Sequence, residues 1–156
     1  PMKPHILLAA LGLLAAPAMA QDTSALVGPG DQAVVAVVPH DQLAAALAHK
    51  ANSHVLTAAN LAVEGNFRDK AGDPEMHTRQ TDVFYITDGE ATVVTGGKYA
   101  GSVSSRPNQF HGGAITGGTP HHLVKGDVIV IPAGIPHQFA EVPKTVSYYV
   151  VKVEIK

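Results

Sequence analysis

The stretch from Gly126 to His137, GDVIVIPAGIPH, constrains this chain more than any other, because it fixes one histidine between a strand and two stiff turns. Gly126-Asp127 reads as the turn entering a strand, and Val128 to Ile131 are β-branched residues suited to a pleated, largely buried run. Pro132-Ala133-Gly134 then ends it. Proline presets φ and donates nothing to a ladder, glycine opens a conformation other residues avoid, and Pro136 stiffens the approach to His137. A side chain held this firmly can serve a metal or a ligand.

The 156 residues are 46% hydrophobic, enough for one compact domain with a core of its own. The start differs from the rest. Met2-Lys3 carries positive charge, Ile6 to Ala16 is an apolar run, and Ala18-Met19-Ala20 has the small-x-small form of a cleavage site, so residues 2–20 read as a secretory signal peptide. The apolar run is shorter than the ~20 residues that span a bilayer, and Pro17 breaks it, which disfavours a membrane anchor. The expected location is therefore periplasmic or secreted, with no membrane partner for the mature form. The absence of cysteine removes disulfides and thiol chemistry, and a net charge of −2 does not suit nucleic acid.

Residues 21–53 are expected to hold a flexible lead-in, a strand at Ala33 to Val38 and one helix at His40 to Lys50 with Asp41 as its N-cap. Residues 54–156 punctuate like a β protein. Strands are expected at His54 to Ala59, Leu61 to Phe67, Asp82 to Thr87, Ala91 to Thr95, His121 to Val124, Asp127 to Ile131, Gln138 to Val142 and Thr145 to Ile155. Asp88-Gly89 is the strongest hairpin signal. In the last strand Tyr149, Val151, Val153 and Ile155 share one face, which reads as core, and Tyr148 and Lys152 share the other. Between Gly96 and Thr119 seven glycines punctuate a long stretch, which reads as a loop over a site or a disordered insert.

The spacing Gly126, Pro132, Gly134, His137 resembles the second motif of the cupins, G-x5-P-x-G-x2-H-x3-N, with Glu141 in place of the asparagine. The first motif, G-x5-H-x-H-x(3,4)-E-x6-G, is matched by counting back from Gly89: Asp82 stands for the Glu, His77 for the second His and Glu75 for the first. A register with His77 first and Arg79 second spoils the spacing to Asp82. The resemblance, to a small single-domain cupin, covers about residues 54–156. It implies an all-β double-stranded β-helix, or jelly-roll barrel, with the short helix ahead of it and the two motifs facing across one pocket. In such barrels the motif histidines and the acid usually hold a divalent metal.

On that basis the metal ligands are expected among His77, Asp82, His137 and Glu75, a mixed N/O set suited to Zn, Fe, Mn or Ni. Phe84 and Ile86 share the parity of Asp82, and Phe139 that of His137, so they are expected to wall the pocket. Of the adjacent His121 and His122 at most one can face inward, and His122 joins the pocket candidates; His111 lies in the glycine-rich insert. Three functions fit. One is an exported metal-dependent enzyme, a dioxygenase, isomerase or lyase acting on a small oxygenated molecule. Another is a non-catalytic binding or sensing cupin for a small-molecule ligand. A structural module is the third. The resemblance also implies a homodimer, with Tyr148 and Val150 as outer-face contacts.

Overall fold

The computed structural model describes residues 35–48, 52–58 and 60–155, so the expected signal peptide 2–20 and the lead-in after it lie outside the described residues. Residues 35–39 are not strand, which corrects the described part of the run expected at Ala33 to Val38. Helix α1 (His40–Ala48) follows. Its first turn closes from Leu43 N to Pro39 O at 3.2 Å, so Asp41 lies inside that turn and not at the cap. There its carboxylate still complements the helix dipole. Among the described residues no helix is long and apolar enough to cross a membrane.

All remaining elements are antiparallel strands: β1 (Ser53–Ala58), β2 (Leu61–Arg68), β3 (Glu75–His77), β4 (Gln80–Thr95), β5 (Lys98–Ala100), β6 (Val103–Arg106), β7 (Gln109–His111), β8 (Ala114–Thr116), β9 (Thr119–Val124), β10 (Val128–Ile131), β11 (His137–Glu141) and β12 (Val146–Glu154). Their order gives a jelly roll with two walls. One runs β1-β2-β12-β4-β10 and the other β9-β4-β11-β3-β7-β6. Strand β4 serves both, pairing β10 and β12 with its first half and β9 and β11 with its second.

That sharing overturns the hairpin expected at Asp88-Gly89. Gly89, at φ 74°, bends β4 from one wall into the other without reversing it, and a Cβ there would overlap the Thr145 carbonyl oxygen. The glycine-rich insert is also more ordered than its composition suggests. It folds into short strands, with β5 paired to β8 and β6 to β7, and β7 docks on β3.

Between the walls lies an aromatic and aliphatic core. Phe84 stacks on Phe139 at 5.6 Å between ring centroids, and Phe139 on Tyr148 at 4.9 Å, with Ile86, Val93 and Val146 wholly buried around them. The parity of β12 is thus opposite to that expected: Tyr148 and Val150 point inward at 3% and 2% exposure, and cannot serve as outer contacts. The outer face is apolar for a different reason. Helix α1 lies across β2 there, close enough that a Cβ on Gly65 would sit 2.9 Å from that of Ala46, while Tyr85, Val128 and Val130 beyond its reach stay exposed.

Candidate functional site

Five strands carry the site. His137 opens β11, and the register sets it directly opposite Glu75 on β3; Glu75 in turn is opposite His111 on β7. Residues opposed in this way share a face, and His77, two residues from Glu75, shares it too. Asp82 arrives from the other wall on β4, opposite Lys152 of β12. The turn so legible in the sequence locks this junction, since Gly134 N donates to the His77 carbonyl at 2.8 Å.

The resulting cluster is tight. His137 Nε2 lies 3.4 Å from Glu75 Oε1 and 3.7 Å from Asp82 Oδ2; His77 Nε2 lies 3.3 Å from Asp82 Oδ2 and 3.7 Å from Glu75 Oε2. Lys152 Nζ donates to Asp82 Oδ2 at 3.1 Å, and His111 Nδ1 stands 3.7 Å from Glu75 Oε2. His77, Asp82 and His137 are all buried, while Glu75 is partly open. The Ile135 carbonyl oxygen, 3.1 Å from His137 Nδ1, accepts a hydrogen bond from it and so turns Nε2 toward the cluster.

Burial alone would raise the pKa of Glu75, but contact with His137, the charge that His137 and His77 carry when protonated, and the charge of Lys152 outweigh it and hold the carboxyl down at about 2. Asp82 is lowered against the same burial by His77 and by Lys152. Both acids are therefore anionic at neutral pH. Glu75 and Asp82 stand close to two imidazoles without forming good hydrogen bonds to them, and both ring nitrogens of His77, Nε2 of His137 and Oδ1 of Asp82 are buried with no partner among the described residues. Such orphans are costly unless something satisfies them. A divalent cation fits: Glu75, His77 and His137 offer donor atoms all within 4.8 Å of one another, two imidazole nitrogens and one carboxylate oxygen. Asp82 stands outside that trio, tied to Lys152.

The cluster opens into a cleft of about 540 Å³. Phe84 lines it as expected of its parity, but Ile86 and Phe139 belong to the core behind it, and His122 points outward to Glu90 at 3.4 Å. His121 bonds Thr95 Oγ1 at 2.9 Å and also lies away from the cleft. The expectation of an apolar wall is thus corrected, because the lining is mostly polar. Sequence reasoning missed Asn66 and Arg68, which project into the cleft from β2, and Lys152 from β12. The signal was the alternation Glu64, Asn66, Arg68 in an otherwise apolar strand, which places polar groups on one face.

A family model described as cupin matches residues 44–154. Among curated proteins, none matches by sequence. Among solved structures, a Bacillus halodurans protein superposes with a TM-score of 0.57 at 16% identity, over 78% of this chain and 83% of its own. Hydroquinone 1,2-dioxygenase from Sphingomonas sp. TTNP3, crystallised with 4-hydroxybenzoate bound, superposes with a TM-score of 0.55 at 14% identity, over 81% of this chain and 83% of its own. Likeness at these identities is likeness of fold.

Proposed function

The chain belongs to the cupin family, and from that premise we propose that Glu75, His77 and His137 bind a divalent metal, Zn, Fe, Mn or Ni, and that the protein is a metal-dependent enzyme acting on a small oxygenated molecule. Dioxygenation, isomerisation and lyase chemistry all suit such a site. The observation that carries the reading is the set of orphaned imidazole nitrogens aimed at one carboxylate. The metal would supply Lewis acidity at a position left open by only three protein ligands. The chain's own residues do the rest. Ile135 orients the His137 ring, Glu75 supplies a charged donor, and Lys152 neutralises Asp82 so that its charge is tolerated beside the cluster.

Elemental analysis of the full chain purified without chelator, with His137→Ala as control, tests this. Near-stoichiometric metal in the wild type and loss in the variant are expected. Equal, trace metal in both would end the metal reading. A non-catalytic binding or sensing role is the second reading. It is favoured by the Asp82–Lys152 pair, which occupies the carboxylate standing where the family has a glutamate. Metal-loaded protein that binds ligands from a panel but converts none would select it.

We also propose export through the leader at residues 2–20 and pairing with a second copy of the chain. The leader's charge, apolar run and Ala-x-Ala end support the first, and the exposed outer-face residues Tyr85, Val128 and Val130 support the second. Native mass spectrometry of protein recovered from the periplasm of an exporting host reads both. The expected species is a dimer of chains beginning at Gln21. An uncleaved chain would refute export, and a monomer at micromolar concentration would refute pairing.

A further inference from the structure

The face of β2 that looks into the cleft carries groups that the metal reading leaves unused. Asn66 is 4% exposed, lines the cleft, and its Nδ2 has no hydrogen-bond partner among the described residues. Directly opposite on β12 is Tyr148. Arg68, two residues along the same face, donates from Nε to the Tyr148 hydroxyl oxygen at 3.0 Å, and its guanidinium lies 4.7 Å above the centre of the Phe139 ring. Gly72 makes room for that group, since a Cβ there would overlap Nη1.

The donors converge in kind as well as in place. Because the Tyr148 oxygen accepts from Arg68, its own proton is free to be donated elsewhere. Burial raises the Tyr148 pKa, with the charges of Glu75 and Asp82 adding to the rise and Arg68 opposing it, so the phenol keeps that proton. The neighbouring acid on β2, Glu64, is already paired with His54 at 3.5 Å. An amide N–H, a phenol O–H and a guanidinium are thus set together in one wall of the cleft, and among the described residues no carboxylate is paired with the guanidinium. An unpartnered amide N–H beside a planar cation matches a carboxylate.

We propose that Asn66, Arg68 and Tyr148 form a subsite for the carboxylate of an acidic small molecule held in the cleft. This deepens the small-molecule reading of the same site by naming a substrate class, and it does not depend on the metal. Phe84 and Tyr148 give the cleft aromatic walls, so the smallest suitable probe is benzoate, with benzamide as its uncharged counterpart of the same shape.

The test is calorimetric titration of both probes into the full chain held metal-free with chelator, for the wild type, Asn66→Asp and Arg68→Gln, with melting temperatures to confirm folding. Asn66→Asp keeps the shape and adds a like charge. It therefore remains informative even if Arg68→Gln unfolds through loss of its seat on Phe139. Benzoate is expected to bind the wild type at least ten-fold more tightly than benzamide, and to lose at least ten-fold in Asn66→Asp. Absence of benzoate binding, equal binding of benzamide, or unchanged affinity in Asn66→Asp would each overturn the subsite. The metal reading fails separately, by elemental analysis, and a chain that takes up metal but not benzoate would lose only this proposal.

Discussion

Lys152→Met is expected to destabilise the metal-free protein by about 3 kcal/mol, read as a lowered urea midpoint with an unchanged slope. Asp82 is 1% exposed, and Lys152 Nζ, 3.1 Å away, is the permanent cation against it; the other neighbour, His77, carries charge only when protonated. Methionine fills the volume of the lysine stem and removes only the charge. What remains is a buried carboxylate that has lost its countercharge, with Oδ1 already unpartnered. Removing one member of a buried pair costs more than removing both, because the loss is the desolvation of the survivor. Lys152→Met with Asp82→Leu should therefore recover most of the stability. Two outcomes argue against this account: a single substitution costing under about 1 kcal/mol, or a double variant no better than the single.

The same pair shows where the sequence was legible and where it was not. Tyr149, Val151, Val153 and Ile155 alternate so cleanly that they read as the core side of β12, yet the inward set is Val146, Tyr148, Val150 and Lys152. Alternation finds two faces but does not say which is inside when both are apolar. Here the outer one is apolar too, with Tyr149 stacked on Tyr85 of β4, and Lys152 turns inward to where Asp82 lies across the ladder. Strand β3 escaped notice for a related reason. It is three residues long, follows Asp73-Pro74, and exists through its pairing with β7 and β11, contacts far away in sequence. By contrast, the turns around His137 are local chemistry, and Gly126, Pro132 and Gly134 shape them as their residue types dictate.

Asn66 and Arg68 belong to a pattern that has two readings. A polar row such as Glu64, Asn66, Arg68 fits a solvent-facing side of a strand as well as a cavity wall, and in this barrel the interior at one end is the cleft. Polar residues alternating within a central strand are as much a sign of a lined cavity as of a wet surface. The motif residues outline a candidate metal site. They say little about what else the cleft holds, because the opposite wall comes from a strand outside both motifs.

Gly89→Val is expected to prevent folding or to destabilise the barrel by about 4 kcal/mol or more, most of the ordinary reserve of a small domain. Two penalties act together. At φ 74° any side chain pays for a left-handed conformation, and for a β-branched one the cost is highest. The added Cβ would also overlap the Thr145 carbonyl oxygen and come within 2.9 Å of its carbon, backbone that cannot rotate away. Gly89 pairs with Val146, so relief would require β12 to leave β4 at the bend where that strand passes between walls. Gly134 separates the two penalties. Its φ is 81°, but a Cβ there meets nothing within 4 Å, so Gly134→Ala should cost only the conformational part, about 1 to 2 kcal/mol. Thermal melts of the three proteins by circular dichroism make the comparison. If Gly89→Val melts within a few degrees of Gly134→Ala, the bend in β4 does not depend on the absence of a side chain, and Gly89 is needed for its backbone angle alone.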